Sequence, residues 1–371
     1  MYKVLVFGMT ENPGGVESVI INYYRCIDKT KLQFDFLCNF HEDAAYEDEL
    51  IAMGGKVFHI TARSENYRKY KIELKAFFKS SQGVYDAIWV NVCSLANIDY
   101  LIMAKKYGIP RRIIHSHNSQ NMDSKLRGML HERNKKRIDK FATDFWTCSE
   151  DAAKWFYEER LMPQVVMIRN SISVDRMAFD ENKRKMYRQK LQCDEDTFVI
   201  GNIGRLHFQK NQSFCIEVFK EFLKKNKNAR LILIGQGEDE TQLKMLAARY
   251  GISKKIYFAG KQSDICGWLS AFDVFLFPSK FEGLPIAALE AQANGVPMLA
   301  SEKVIPQEVK INSNFVFYNL ETRAESWSKE LEKMQKKARR LELSEVKKNF
   351  TEKGYNIETE TEKLENLFLK E

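Results

Sequence analysis

Short apolar runs recur along this chain, each followed by a segment whose apolar residues fall at helical spacing. YKVLVFG (2–8), FDFLCN (34–39), KVFHI (56–60), YDAIWVNV (85–92) and RIIHSHN (112–118) alternate with stretches such as VESVIINYYRCI and NIDYLIMAKKYG. TDFWTCS and QVVMIRN complete that half. A polar, charged stretch (171–196) follows, reading as a linker and a short helix, and then the pattern restarts with TFVIGNIG, ARLILIG, KIYFAG and DVFLFP. Apolar strands alternating with helices imply a parallel sheet covered on both faces. Two such sets in 371 residues predict an α/β chain of two doubly wound, Rossmann-like domains. Ligands of such sheets sit at the carboxyl ends of the strands.

The rest of the composition narrows the class. With 44% hydrophobic and 29% charged residues, the chain reads as globular. No run approaches the roughly 20 apolar residues that cross a bilayer, and the start, MYKVLVFGM, enters a strand directly and does not read as a signal peptide. Seven scattered cysteines without a CxxC pair suggest reduced thiols in the cytoplasm and no zinc site. The formal charge of +8 suits an anionic partner, but no nucleic-acid motif accompanies it. Residues 125–140, KLRGMLHERNKKRIDK, concentrate Lys125, Arg127, Arg133, Lys135, Lys136, Arg137 and Lys140 beside Leu126, Met129, Leu130 and Ile138. Such a helix either lies on an anionic membrane surface or forms a solvated face over a core stripe.

Candidate chemistry gathers at expected strand ends. DVFLFP leads into SKFEGLPIAALEAQANG (279–295), where Pro285 suits the first turn of a helix and Gly295 its stop. The free N–H groups of that first turn attract phosphate. Glu282 and Glu290, on either side of Gly283, Leu284 and Pro285, can each accept paired hydrogen bonds from vicinal hydroxyls. An anion site between two diol-binding carboxylates has the shape of a nucleotide-sugar site. Arg205 and Lys210 follow the first strand of the second half, after Gly204, and suit a diphosphate: the guanidinium fork and the ammonium point charge divide its oxygens. Gly14 and Gly15 precede a helix, where they either hold a phosphate or serve a tight turn. Neither GxGxxG nor GK[ST] is present there, which weakens a dehydrogenase or P-loop reading. His115 and His117 share one strand face at a carboxyl end; lacking a third ligand, they read as a polar contact rather than a metal pair. Asp194-Glu195-Asp196 precedes a strand and reads as a solvated turn. Residues 351–371 read as one long amphipathic helix with Tyr355, Ile357, Leu364, Leu367 and Phe368 as apolar positions.

The ordered set GGVES, GRLHFQKNQ, LILIGQGEDE, YFAGKQSD and FPSKFEGLPIAALEAQANGVPMLAS resembles retaining glycosyltransferases of family 4, with the GT-B fold. GGVESVIINYYR, FDFL and HSHN further resemble enzymes of bacterial capsular and exopolysaccharide assembly. The resemblance covers nearly the whole chain and is most specific in the second half, where Glu282 and Glu290 match the paired glutamates of the family. It implies two domains facing across a cleft: residues 1–170 on the acceptor side and 171–353 binding the nucleotide sugar. A C-terminal helix, about 354–371, would return to the first domain. By position, Gly204, Arg205 and Lys210 would hold the donor diphosphate, Glu290 the ribose and Glu282 the sugar. Main-chain amides from Gly283 through Leu284 and Pro285 to Ile286 would support the phosphates, and Gly260, Lys261 and Gln262 would hold the base. His117 resembles the histidine that reaches the donor sugar, with His115 beside it leaving the choice open; Gly14 and Gly15 resemble the loop that closes on phosphate or acceptor. The usual Asn-Gly after the last strand of the first domain is Asn170-Ser171 here, a departure in the hinge turn.

The resemblance implies transfer of a sugar, with a UDP-sugar favoured as donor, to a glycan or lipid-linked polysaccharide precursor. It requires no metal and no protein nucleophile; Arg205, Lys210, Glu282 and His117 would carry the chemistry. The expected location is cytoplasmic, with peripheral contact to the inner face of the membrane through Lys125–Lys140. A GT-B nucleotide-sugar epimerase and a silent sugar-nucleotide-binding component of an assembly complex remain as alternatives.

Overall fold

The computed structural model describes residues 1–118, 124–282 and 284–370. It divides into two units: Met1–Ser171 with Ile357–Glu371, and Ile172–Asn356. In the first, among the described residues, seven strands form one sheet: β1 (Tyr2–Phe7), β2 (Leu32–Cys38), β3 (Val57–His59), β4 (Ala87–Val92), β5 (Arg111–Ser116), β6 (Asp144–Thr147) and β7 (Val165–Met167). Their spatial order is β3-β2-β1-β4-β5-β6-β7, and every pairing is parallel. In the second, β8 (Phe198–Ile203), β9 (Ala229–Ile234), β10 (Ile256–Gly260), β11 (Val274–Phe277), β12 (Met298–Ser301) and β13 (Phe315–Tyr318) follow the order β10-β9-β8-β11-β12-β13. These pairings are parallel too.

The apolar runs become strands because both of their faces are buried: β8 and β11 are buried along their whole length. Each sheet reverses its strand order once, between β1 and β4 in the first unit and between β8 and β11 in the second. Loops leaving adjacent strands diverge at such a switch point and open a crevice for ligand. In the second unit the loops after β8 and β11 are those carrying Arg205, Lys210 and Glu282.

The end of the chain differs from the single long helix expected over 351–371. Gly354, at φ +72°, closes a helix Leu343–Lys353 with a left-handed cap, and a new helix runs from Ile357 to Leu369. Tyr355 is buried in the core of the second unit, whereas Phe368 packs in the first against Trp146 and Phe34 at ring distances of 5.2 and 5.8 Å. Arg111 secures that second helix through the carbonyls of Leu367 and Phe368, and its charge is met by Asp144 at 2.7 Å. Ile172 N donates to Tyr355 O at 3.1 Å, so the two chain segments that enter and leave the second unit run side by side within it.

Candidate active site

The loop after β8 is built by close backbone approach. Gly235, at φ +134°, leaves only 1.9 Å between a Cβ placed on it and Gly204 O, and at Gly237 the corresponding distance to Leu206 O is 2.1 Å. No side chain fits either position, so the GQG run is a packing requirement of the Gly204–Leu206 loop. The same loop is stitched to the segment after β11. Gln209 Nε2 donates to Phe281 O at 3.0 Å, Lys280 N donates to Gln209 O at 2.8 Å, and Asn211 Nδ2 donates to Pro278 O at 3.1 Å. Gln212 Nε2 holds Arg205 O at 3.0 Å. The sequence motifs do not single out Gln209, Asn211 and Gln212; the polar run QKNQ after a buried strand is the signal that marks them.

This stitching brings Lys210 and Glu282 together. Lys210 Nζ lies 2.7 and 2.9 Å from the two carboxylate oxygens of Glu282, whose side chain is only 5% exposed. Arg205 stands free of that pair, 69% exposed, and reaches Glu238 at 3.1 Å; His207 faces the same carboxylate at 3.4 Å. Gly204 sits against the Lys210 side chain, where an added Cβ would fall 3.2 Å from Cγ.

Beyond Glu282 the chain enters the helix Ile286–Ala293. Gly283 lies outside the described residues, and Leu284 packs on the core. Pro285 is the N-cap rather than a first-turn residue: its backbone, at φ −75° and ψ 107°, is still extended, so helical geometry begins one residue later, at Ile286. Among the described residues, no side-chain hydrogen bond caps this end. Glu290 occupies the fifth helical position, and its carboxyl has no hydrogen-bond partner among the described residues. Burial pushes its pKa up to about 7.

Gly260 ends β10 at φ +68°, a left-handed turn, and its carbonyl accepts from Gly235 N at 2.9 Å. Lys261 is exposed. Gln262 is fixed at both ends of its amide, donating to Ala259 O at 2.6 Å and accepting from Trp268 Nε1 at 3.1 Å. Its side chain therefore shapes the turn and leaves main-chain groups to face outward.

The first unit carries the remaining candidates at the carboxyl edge of its sheet. Gly14 is the N-cap of the helix Gly15–Cys26. A Cβ on Gly14 would fall 2.6 Å from a carboxylate oxygen of Glu17, while Gly15 faces open space. Glu17 is buried and accepts from Thr10 Oγ1 at 2.6 Å, which folds the preceding loop over the helix start. His115 is fully buried. Its Nδ1 and the Nε2 of His117 both approach Asn91 Oδ1, at 3.1 and 2.9 Å. An amide oxygen only accepts, so both of these nitrogens carry the proton. Nδ1 of His117 is then a bare acceptor, buried without a partner among the described residues. Burial holds the His115 pKa well below the usual histidine range, and it pushes His117 down to about 3, so both rings are neutral at pH 7. The N–H of His117 is thus spent on Asn91, and Nδ1 is what the ring has left to offer a ligand.

The basic run is also shorter than a helix over 125–140. The helix is Lys125–Lys135, and Ile138 follows on a separate 3-10 turn, fully buried in the core. His131 explains the break in the stripe: it is buried, stacks on Trp155 at 4.0 Å and accepts from Leu95 N at 3.0 Å. Leu126 and Met129, by contrast, are 63% and 64% exposed. Asp194 is a turn former, accepting from Thr197 and Asn228 at 2.5 and 3.1 Å.

Residues 183–356, most of the second unit, match the family described as glycosyl transferases group 1. The two parallel sheets are those of the GT-B fold, and the second unit is similar in sequence to the glycosyl transferases of that family. EpsF of Bacillus subtilis (strain 168), named as a glycosyltransferase, is 27% identical over 301 residues, 79% of this chain and 77% of its own length. The capsular polysaccharide biosynthesis glycosyltransferase CapH of Staphylococcus aureus is 22% identical over 379 residues, 100% of this chain and 99% of its own. Among solved structures, HepE of Anabaena in complex with UDP and glucose covers 100% of both chains with a TM-score of 0.79 at 14% identity, a likeness of fold.

Proposed function

We propose that this chain is a retaining glycosyltransferase moving a sugar from a UDP-sugar to a polysaccharide precursor. The observation that carries the reading is the meeting of Lys210 and Glu282 at the switch point of the second sheet, with Arg205 and an uncapped helix N-terminus beside them. A diphosphate needs cations and free N–H groups, and a sugar needs a hydroxyl-binding carboxylate. All of these are offered at one strand edge. The UDP and glucose of HepE and the capsular role in the name of CapH support the donor and the product class.

In this reading Arg205, Lys210 and the amides at Leu284 and Ile286 meet the charge that grows on the leaving diphosphate, which lowers the barrier more than it tightens substrate binding. Glu282 holds hydroxyls of the sugar and Glu290 those of the ribose. The turn at Gly260, Lys261 and Gln262 takes the base through its main chain. On the first unit, His117 is assigned to the sugar and Gly14 and Gly15 to phosphate or acceptor. The bond from the anomeric carbon to the phosphate oxygen breaks as the acceptor oxygen bonds to the same face. The acceptor proton passes to the leaving phosphate, so no protein nucleophile is required. With the charge borne by these side chains, a chelator leaves turnover unchanged. The exposed Leu126 and Met129 among Lys125, Arg127 and Arg133 fit contact with an anionic membrane, where a lipid-linked acceptor would be presented.

The test is the stereochemistry of transfer from a UDP-sugar, followed by NMR. Retained anomeric configuration supports the reading; inversion, or hydrolysis and epimerisation without transfer across an acceptor panel, contradicts it.

A further inference from the structure

A cavity of about 610 Å³ opens at the opposite edge of the second sheet, where Phe198 begins β8, Asp273 precedes β11 and Pro297 precedes β12. Its size suits a small organic ligand, and it lies at the strand ends remote from the donor loops.

Cations outnumber carboxylates among its less exposed charges. Arg184 and Arg340 line the cavity, and Arg188 stands beside them. Asp273 serves two of the three, at 2.7 Å from Arg184 and 3.1 Å from Arg188. Arg340 has no carboxylate within ion-pair distance among the described residues. Its terminal nitrogens go to neutral acceptors instead: Nη1 to Asn294 O at 3.0 Å and to Asn294 Oδ1, and Nη2 to Phe272 O at 2.6 Å and Leu269 O at 3.2 Å. The carbonyls of Leu269 and Phe272 close the helix Ile265–Ala271 and that of Asn294 closes the helix Ile286–Ala293, so part of the arrangement is a cap on two helix ends. A cap does not need three guanidiniums, and it leaves donors over. Nε of Arg184 and Nε of Arg340 have no hydrogen-bond partner among the described residues. Burial, and secondarily the charge of Arg184, push the Arg340 pKa down to about 9, which marks a cation short of compensation. Phe179, 38% exposed, covers that guanidinium at 4.5 Å. Glu195, Asp196 and Glu342 are also in the lining but are exposed, where water and salt screen them.

We propose that this cavity binds a small oxyanion, phosphate or carboxylate, between Arg184 and Arg340 beneath Phe179. The site is independent of the donor assignment and stands or falls on its own residues.

The experiment is thermal unfolding of the full chain in inorganic phosphate and in citrate, each matched in ionic strength with sodium chloride. Wild type, Phe179→Glu and Arg184→Gln are compared, the first variant supplying an internal carboxylate at the cavity mouth and the second removing a donor. The wild-type melting temperature should rise by about 3–6 °C with either anion at tenfold its dissociation constant. Both variants should unfold cooperatively and lose most of that rise. A wild type indifferent to both anions overturns the proposal, as does a rise that persists undiminished in both variants.

Discussion

Lys210 Nζ sits 2.7 Å from one oxygen of Glu282 and 2.9 Å from the other, in a pair whose side chains are 19% and 5% exposed. The ammonium assigned to the diphosphate is thus held by the carboxylate assigned to the sugar. A pair this enclosed is costly to break from one side, since the survivor keeps its charge without compensation. Lys210→Met should therefore lose about 3 kcal/mol of stability, and Lys210→Met combined with Glu282→Gln should lose clearly less than the sum of the single changes. Urea denaturation of the four proteins reads this directly; strict additivity would show that the contact carries no coupling.

Glu290 gives the site a pH dependence. Its folded pKa, about 7, is raised by burial above the ordinary glutamate value, so the folded chain holds a proton that the unfolded chain releases. The stability this proton contributes is present at low pH and is lost as pH rises through about 7. Ribose hydroxyls donate to the ionised form, so nucleotide affinity should move the other way, falling up to about tenfold for each pH unit below 7. Titration of UDP between pH 5.5 and 8 measures it, and Glu290→Gln should abolish the slope.

The backbone contact between Gly235 and Gly204 predicts a large effect from one methyl group. Gly235→Ala places a carbon 1.9 Å from Gly204 O in a left-handed backbone, and the loop must move. A loss of about 3 kcal/mol or more is expected. Gly251→Ala is the control: it shares a positive φ, at +68°, but meets no atom within 4 Å, so about 1 kcal/mol is expected there. Equal losses would show that strain alone, and no close approach, governs the GQG run.

Leu126→Glu with Met129→Glu tests the membrane surface without touching the core, because both side chains point into solvent. Sedimentation with phosphatidylglycerol vesicles should fall several-fold, while the melting temperature stays within about 2 °C. Unchanged sedimentation removes that contact from the account.

Much of the fold is legible because a doubly wound sheet writes itself as buried apolar runs: β1, β4 and β8 each fall within such a run, and β2 begins two residues before its own, at Leu32. The strands β12 and β13 are not separately marked, being four residues each and following the conspicuous helix Ile286–Ala293. Gly354 does not read as a stop because the apolar spacing continues across it. At the site, residue types and spacing point to Arg205, Lys210, Glu282 and Glu290, but nothing in the spacing reveals that Lys210 and Glu282 pair with each other, nor that Arg205 meets Glu238. Those contacts arise from the stitching by Gln209, Asn211 and Gln212, which depends on two loops meeting at a switch point far apart in sequence. The histidines show the same limit. HxH fixes a shared face, whereas the tautomer follows from Asn91 on the neighbouring strand.

The functional reading rests on the edge of the second sheet binding a nucleoside diphosphate through Arg205 and its neighbours. Calorimetric titration of UDP, with uridine as the control, into wild type and Arg205→Ala isolates that binding, since Arg205 is exposed and its replacement should cost little stability. UDP should bind wild type and weaken by at least about tenfold in Arg205→Ala, with uridine binding both alike. Equal UDP affinity in the two proteins, or no UDP binding by wild type, would contradict it.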